Sequence, residues 1–269
     1  MRANRCIQNG YVYHLTARCN EREFLLKFGR WRDEYRRRLR EALSLFDVWL
    51  LTYGITSNHT HLVVTAASAR ELAAFMDKLQ GEFAQWYNRC KKRSGHFWGD
   101  RYHCTMVQDG EHLWNCLVYV DLNMVRAGVV AHPSAWAWTA YRELVGTRKR
   151  YRLVDAERLV ELTQAGDLES FRRDYVDAVS QVLQTRVLSR EPRWTESIAV
   201  GDEEYVRDIA ERARGRASLR LAEADDGVWT VRDSQSSCVG DGLDGAVLLR
   251  SDFGWGRIDS KESSARIGG

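Results

Sequence analysis

The 269-residue sequence lacks the features that would mark a membrane protein, a secreted protein or a zinc finger. No apolar run approaches the roughly 20 residues that a transmembrane helix needs. The N-terminal stretch MRANRCIQNG has no apolar segment of the kind that signal peptides contain. The six cysteines show neither CxxC pairing nor zinc-knuckle spacing, which is typical of reduced, mostly buried thiols. We therefore expect a cytoplasmic protein without a membrane partner.

Charge is divided unevenly along the chain. Residues 1–150 carry 23 Lys and Arg against 14 Asp and Glu, whereas residues 151–269 carry 17 against 23. The hydrophobic fraction of 44% is normal for a globular protein, and the length allows one large core with a small second one. The first part is therefore the candidate for binding a polyanion, although a solvated basic face without a ligand gives the same count.

The stretch YGITSNHTHLVVT, from Tyr53 to Thr65, is typical of a β-hairpin, because β-branched and aromatic segments flank a polar turn. His59 and His61 are two residues apart on its second strand. Side chains alternate along a strand, so both imidazoles leave the same face of the sheet and can converge on one ion. Such a pair is more often an ordinary part of a strand, so a metal site needs a third ligand from elsewhere.

Hydrophobic periodicity predicts an alternation of strands and helices over the first half of the chain. Strands are predicted at Tyr11–Arg18, Val48–Tyr53, Leu62–Thr65 and Tyr102–Val107. Helices are predicted at Arg30–Phe46, after a capping box of Ser68 and Glu71, and from Glu111 to about Val125. This order predicts an α+β fold with a ferredoxin-like antiparallel sheet and helices on one face.

The helix predicted from Glu111 carries a tyrosine and an amide side by side. Tyr119 and Asn123 are four residues apart, so they lie on one flank of the helix, outside its apolar stripe. Two other tyrosines are less suitable for chemistry, because Tyr87 lies on a core stripe and Tyr53 lies on a strand of the sheet. Neither of these is paired with a possible metal ligand.

Basic residues, some interleaved with aromatic rings, are candidates for nucleic-acid contacts. Guanidinium groups suit phosphates, and rings beside basic groups suit unpaired bases. A solvated helix face, or buried aromatics at the entry to a strand, would produce the same pattern. The candidates for DNA binding are Arg30, Arg36, Arg37, Arg40, Lys91, Lys92, Arg93, Trp98, Arg101 and Arg126.

Four ordered motifs give the sequence a family resemblance over roughly residues 5–145. They are GYVYHLTARCNER, YGITSNHTHLVV, FWGDRY and LVYVDLNMVRAGVV, the last followed by AWAWTAYR. Together they resemble the HUH-type single-tyrosine transposases of small insertion sequences and their REP-associated relatives. The sequence departs from the family pattern at Ser57 and Met124, where proline is common, and at Thr60, where a hydrophobic residue is usual.

The resemblance implies a catalytic domain at residues 1–145 that acts on single-stranded, hairpin-containing DNA. It implies that His59, His61 and Asn123 hold Mg²⁺ or Mn²⁺, and that Tyr119 attacks DNA to form a 5′-phosphotyrosine link. Such proteins act as monomers or homodimers. Two alternatives stay open: a catalytically silent nucleic-acid-binding protein on the same fold, and a hydrolase that uses an activated water and a merely structural Tyr119.

The remainder of the chain is predicted to be an acidic helical extension over residues 146–215, followed by a tail of low order over residues 216–269. Helices are expected at Val154–Leu162, Leu168–Leu183 and Asp202–Arg214. The part of the tail from Ser234 onward is rich in Gly, Ser and Asp and has no clear periodicity. The extension is expected either to position DNA or a partner, or to form a helical cap on the sheet, whereas the tail indicates no activity.

Overall fold

One sheet organises the computed structural model, which describes residues 10–185, 188–213, 219–225 and 227–233. Its strands are β1 (Val12–Arg18), β2 (Val48–Ile55), β3 (His59–Ala66), β4 (His103–Val107), β5 (Ala199–Gly201), β6 (Leu219–Asp225) and β7 (Val228–Asp233). They lie in the order β2-β3-β1-β4-β5-β7-β6. The first four strands pair antiparallel, with β1 between β3 and β4. This confirms the predicted ferredoxin-like arrangement.

Two long helices cover one face of this sheet. They are α1 (Gly29–Leu43) and α2 (Ala69–Lys91). Ser68 caps α2 by accepting a hydrogen bond from the Glu71 backbone N–H at 3.1 Å, as its sequence predicts. Tyr35 of α1 is fully buried, and its hydroxyl lies 3.5 Å from Thr60 Oγ1. Thr60 points away from the face that carries His59 and His61, so α1 and α2 lie on the side opposite the histidines.

The helix that carries Tyr119 packs on the other face of the sheet. It is α3 (Glu111–Asp121), and it is followed by α4 (Asn123–Arg126). Gly54 of β2 is paired directly with His61 of β3, and a Cβ at Gly54 would lie 3.3 Å from Val120 Cγ1. The prediction of helices on one face thus describes α1 and α2, while α3 lies over the histidine strand.

The helix expected to run from Glu111 to about Val125 is divided in two. Leu122 separates α3 from α4, with a ψ of 1° that lies outside the α-helical range. Tyr119 and Asn123 therefore do not share one continuous helix, although they remain neighbours across this break.

The C-terminal extension contains the predicted helices and additional strands. Its helices, with a short one before them, are α5 (Tyr141–Leu144), α6 (Ala156–Leu162), α7 (Leu168–Thr185), α8 (Arg193–Glu196) and α9 (Glu203–Arg212). Sequence analysis did not anticipate β5, which pairs parallel to β4, or the β6–β7 hairpin beside it. This hairpin falls within residues 216–269, which we had assigned to a tail of low order. Residues 234–269 lie outside the described part of the chain.

Helix α7 of the C-terminal extension packs against α3, the helix that carries Tyr119. Tyr175 of α7 donates a hydrogen bond to the buried Asp121 carboxylate at 2.8 Å. Burial raises the pKa of Asp121 to about 7. Trp114 of α3 packs edge-to-face against Phe171 of α7. Among the described residues, no helix is long and apolar enough to cross a membrane.

Candidate active site

Three histidines meet on the sheet face beneath α3. His59 and His61 point to this face from β3, with ring centroids 4.9 Å apart. On β1, Thr16 pairs with His61 and Arg18 pairs with His59. Because side chains alternate, His14 of β1 points to the same face, where its ring stacks on that of His61 at 5.1 Å. The predicted histidine pair is thus joined by a third imidazole.

All three imidazoles are neutral at physiological pH. Burial lowers the pKa of His14 and of His59 to about 3. It also lowers the pKa of His61 well below its ordinary value, and the neighbouring histidines act in the same direction. A neutral imidazole keeps one lone pair, which a cation requires. Burial therefore leaves His59 and His61 each with a lone pair that a cation could use.

Asn123 faces both members of the predicted pair. Its Nδ2 lies 3.1 Å from Nε2 of His61, and its side chain also hydrogen-bonds His59. Nδ1 of His59 lies 2.7 Å from Asn58 Oδ1 and 3.0 Å from Thr56 Oγ1, so Nε2 is the nitrogen left for Asn123. Two imidazole nitrogens thus converge on one amide.

This donor set fits a divalent cation of mixed nitrogen and oxygen preference. Rotation of the Asn123 amide by half a turn would present Oδ1, in place of the N–H, to the two imidazole nitrogens. Among the described residues, no three or more His, Cys, Asp or Glu side chains are grouped to hold a metal. A cation held by His59 and His61 would therefore need the Asn123 amide oxygen as a third ligand, and this oxygen binds more weakly than a carboxylate.

Tyr119 lies beside this cluster. Its ring centroid is 6.1 Å from that of His61 and 6.2 Å from that of His14. The side chain is only 5% exposed, which differs from the predicted place outside the apolar stripe. Tyr119 lines a cavity of about 180 Å³ together with polar and apolar groups. The other lining residues are Asn115, Val118, Leu122, Arg126, Val182, Leu188, Ser189, Glu191 and Arg193.

Arg126 of α4 covers the face of the Tyr119 ring. Its guanidinium carbon lies 4.2 Å from the ring centroid, and Nη2 donates to the Tyr119 carbonyl at 3.3 Å. Nε and Nη1 of Arg126 are buried and have no hydrogen-bond partner among the described residues. Burial raises the pKa of Tyr119, while the charge of Arg126 acts to lower it. Arg126 is thus a cation in contact with the Tyr119 ring that still has N–H donors to offer.

The predicted DNA-binding arginines of α1 lie on the opposite face of the sheet. Arg37 donates to both carboxylate oxygens of Glu34 and also pairs with Glu41. Arg36 pairs with Asp33 at 3.2 Å. Arg40 lies 5.1 Å from the Tyr151 ring. These side chains are not brought to the histidines, and several of their donors are occupied.

The remaining predicted DNA-binding residues are spread around the ends of α1, α2 and β4. Arg30 lies over Trp31 at 4.3 Å, and Lys91 lies near the same ring at 5.5 Å. Exposed Lys92 ends α2 in a left-handed conformation. Arg93, whose Nη2 donates to the His96 carbonyl at 3.4 Å, and exposed Arg101 precede β4.

Trp98 lies on the face of the sheet that α1 and α2 cover. Its indole N–H donates to the Gln80 carbonyl at 3.1 Å, and its ring packs against Tyr35 and Phe83. The ring is half-buried, so a base would have only part of one face to stack on. A DNA contact by Trp98 stays a prediction.

Sequence reasoning missed two residues that complete the site. His14 stands in the quoted YVYHLTAR stretch, where alternation places it on one face with Thr16 and Arg18 but does not show that this face carries the histidine pair. Trp194 comes from the extension, and its ring centroid lies 6.0 Å from that of Tyr119. No local pattern links position 194 to a helix some 70 residues earlier in the chain.

A histidine pair on one strand and a tyrosine on a facing helix are what the resemblance to HUH-type single-tyrosine transposases implies for this sheet. The family model described as "Transposase IS200 like" matches residues 7–122, which span β1 to the end of α3. The match covers 116 of the 269 residues, and this part of the chain is similar to IS200-like transposases.

Two solved structures are similar to this chain at a distance. A REP-associated tyrosine transposase bound to a REP hairpin has 16% identity and a TM-score of 0.47, with 58% of this chain and 91% of that chain covered. A protein of Deinococcus radiodurans R1 assigned as a transposase has 19% identity and a TM-score of 0.32, covering 44% of this chain and 92% of that chain. A search of curated proteins found no match to this sequence.

Proposed function

We propose that this protein is a metal-dependent single-strand DNA endonuclease and strand transferase that uses Tyr119 as its nucleophile. The observation that supports this proposal is the convergence of His59, His61 and Asn123 beside the ring of Tyr119, at the edge of a cavity. The substrate is single-stranded or hairpin-containing DNA, and the protein acts as a monomer or a homodimer.

The chemistry of the proposed reaction is an exchange of phosphoesters. The phenolic oxygen of Tyr119 forms a bond to phosphorus, while its proton is lost to solvent and the bond from phosphorus to the 3′ oxygen breaks. The products are a 5′-phosphotyrosine link and a free 3′-OH. A 3′-OH can later attack this link and release the tyrosine, so rejoining needs no ATP.

Three side chains are proposed to hold the cation, namely His59, His61 and Asn123. Mixed nitrogen and oxygen ligands do not select one metal sharply, and the family resemblance favours Mg²⁺ or Mn²⁺. When bound, the ion supplies positive charge that polarises the scissile phosphate and offsets the charge of the transition state. The chain itself contributes neutral imidazoles, because burial keeps them unprotonated.

Arg126 is proposed to act on both the nucleophile and the phosphate. Its guanidinium lies against the Tyr119 ring, so its charge favours the phenolate. Its buried Nε and Nη1 groups lack partners among the described residues, and a non-bridging phosphate oxygen would satisfy them. One side chain could thus activate the attacking oxygen and orient the group that it attacks.

A second candidate function is nucleic-acid binding without cleavage. The observation that favours it is the cover over the phenol: Tyr119 is only 5% exposed and lies against the ring of Trp194. Leu188, Ser189 and Glu191 also line the cavity, and Glu191 accepts hydrogen bonds there from Arg193. A DNA strand must displace or pass this segment before cleavage.

One assay separates the candidates. A pool of hairpin-bearing single strands with randomised flanks is labelled at the 3′ end, incubated with the protein and Mn²⁺, and run on a denaturing gel. The proposal expects a covalent protein–DNA adduct that carries the 3′ label, since the 5′ phosphate of the downstream fragment is attached. A 5′-labelled pool should give only a shortened free strand.

Two variants complete the design. Tyr119→Phe should abolish the adduct. Tyr87→Phe, the same change in α2 on the opposite face of the sheet, should leave the adduct intact. Binding without cleavage in the wild type would favour the silent protein. Cleavage that survives Tyr119→Phe would instead favour a hydrolase that uses water.

A further inference from the structure

A hydrogen-bonded chain runs from the C-terminal extension through two histidines to Asn123. The Trp194 carbonyl lies 2.9 Å from Nδ1 of His14, and Nε2 of His14 lies 2.9 Å from Nδ1 of His61. Nε2 of His61 lies 3.1 Å from Nδ2 of Asn123. His14 is fully buried and touches no part of the cavity that Tyr119 lines.

The donor and the acceptor of each of these hydrogen bonds follow from the Trp194 carbonyl, where the series begins. A carbonyl oxygen can only accept, so Nδ1 of His14 must carry its proton. In a fully buried neutral ring, Nε2 of His14 then has a lone pair, and it can only accept from Nδ1–H of His61. His61 is left with its lone pair on Nε2, directed at Asn123.

We propose that His14 is a positioning residue that fixes His61 in the Nδ1–H tautomer, so that Nε2 of His61 is the atom offered to the cation. The inference rests on the proposed function for its purpose, but the tautomer itself is independent of any metal. Residues that hold the second nitrogen of a ligating imidazole generally improve metal binding 10- to 100-fold.

The extension gains a role through this contact. Trp194 belongs to α8 and is itself buried, and its carbonyl also accepts a hydrogen bond from Thr105 Oγ1 at 3.2 Å. The extension thus provides the fixed acceptor from which the tautomer of a residue on β3 is set. Thr105 shares that acceptor, and within the described part of the chain its hydroxyl bonds to Trp194, Ser197 and His103 and not to His61, so it offers a matched control.

The first test needs no variant and no metal. Nitrogen-15 NMR of the full chain distinguishes protonated from unprotonated imidazole nitrogens. We expect Nδ1 protonated and Nε2 unprotonated in both His14 and His61. Finding His61 protonated at Nε2 would overturn the proposal, even if every variant failed to fold.

The second test measures Mn²⁺ binding by calorimetry in the absence of DNA. His14→Phe, which removes both hydrogen bonds, should weaken Mn²⁺ binding at least about 10-fold. His14→Gln keeps an acceptor and a donor and should stay within about threefold of the wild type, as should Thr105→Val. A folded His14→Phe variant with wild-type affinity would refute the positioning role.

The two tests also separate this inference from the proposed function. A wild-type chain that shows the expected tautomers but no Mn²⁺ binding would contradict the metal-dependent function while supporting the assignment of the hydrogen-bonded chain. Mn²⁺ binding by a chain in which His61 is protonated at Nε2 would support the metal-dependent function and contradict the assigned tautomer.

Discussion

The two faces of the sheet differ in how they carry charge. The face covered by α1 and α2 has a dense set of arginines, and those of α1 are largely paired with carboxylates, as Arg37 is with Glu34 and Glu41. The face beneath α3 has neutral histidines and an amide, with Arg126 over the Tyr119 ring and Arg18 paired with His59. The histidines of the candidate site are therefore uncharged, and guanidinium groups lie beside them.

This difference has a simple physical origin. An arginine keeps its proton almost anywhere on a surface, so a count of basic residues reports solvated faces as readily as functional ones. An imidazole is different, because burial lowers the pKa of His59 to about 3 and leaves a lone pair for a ligand. The basic excess of residues 1–150 thus says little about where the reaction occurs.

Removing one histidine of the pair is the strongest test of this difference between the two faces of the sheet. We expect His61→Ala to lower cleavage at least about 1,000-fold, because the cation that offsets transition-state charge loses a ligand. DNA affinity should stay within about threefold. Adduct yield and filter binding measure the two effects, with the exposed His96→Ala as control. An equal loss of binding and cleavage would contradict the division between the faces.

Arg126 should show the next largest effect. We expect Arg126→Gln to lower the rate of adduct formation about 100-fold, since the variant loses the charge over the phenol and weakens the phosphate contact. Single-turnover kinetics across pH measure it. The rate of the variant should also rise to its plateau at higher pH, because Arg126 lowers the pKa of Tyr119. A rate within threefold of wild type would exclude Arg126 from the site.

The buried histidines should make folding stability depend on pH. In the folded chain the pKa of His14 is about 3, whereas the unfolded chain titrates near 6.5, so the unfolded state binds more protons between these values. The free energy of unfolding should therefore fall as pH drops from about 6.5 to about 3, by about 1.4 kcal/mol per pH unit for each such histidine. This loss of stability is complete only below about pH 3, the pKa of His14 in the folded chain.

Urea denaturation at pH 4, 5, 6 and 7 checks this expectation. His14→Gln should reduce the slope of stability against pH by about 1.4 kcal/mol per pH unit relative to the wild type. Asp121, whose pKa is raised to about 7, titrates in both proteins and cancels in the comparison. Identical slopes would mean that His14 is not held neutral by burial.

Arg37 on α1 should show the smallest effect. We expect Arg37→Gln to change DNA affinity less than about twofold, because Glu34 and Glu41 already occupy its donors. Its exposed ion pairs should contribute about 0.5 kcal/mol or less to stability. Filter binding at several salt concentrations measures the first effect. A large loss of affinity with a shallower salt dependence would instead make α1 a DNA-binding surface.

Local patterns predicted those features that depend on neighbours in sequence. Ser68 and Glu71 form the expected cap, because both partners lie within one turn of helix. His59 and His61 share a face, because alternation along one strand requires it. The order of strands and helices in residues 12–107 also followed from periodicity, and it proved to be ferredoxin-like.

Long-range features escaped prediction for equally physical reasons. The pairing of Thr16 with His61 places His14 beside the histidine pair, and no local pattern specifies that register. Trp194 reaches the site only because α8 packs against β4. The three residues of β5 are too few to show a period, and they take part in the sheet because β4 and β7 flank them.

Gly54 shows how a position with no chemistry of its own can govern the geometry of a reaction. With no side chain at this point of β2, Val120 approaches the backbone closely, and a methyl group there would meet its Cγ1 at 3.3 Å. A side chain at Gly54 would therefore require Val120 to move by a few tenths of an ångström. Because Val120 is next to Tyr119 in α3, such a shift would reach the phenol without any change to Tyr119 or to the histidines.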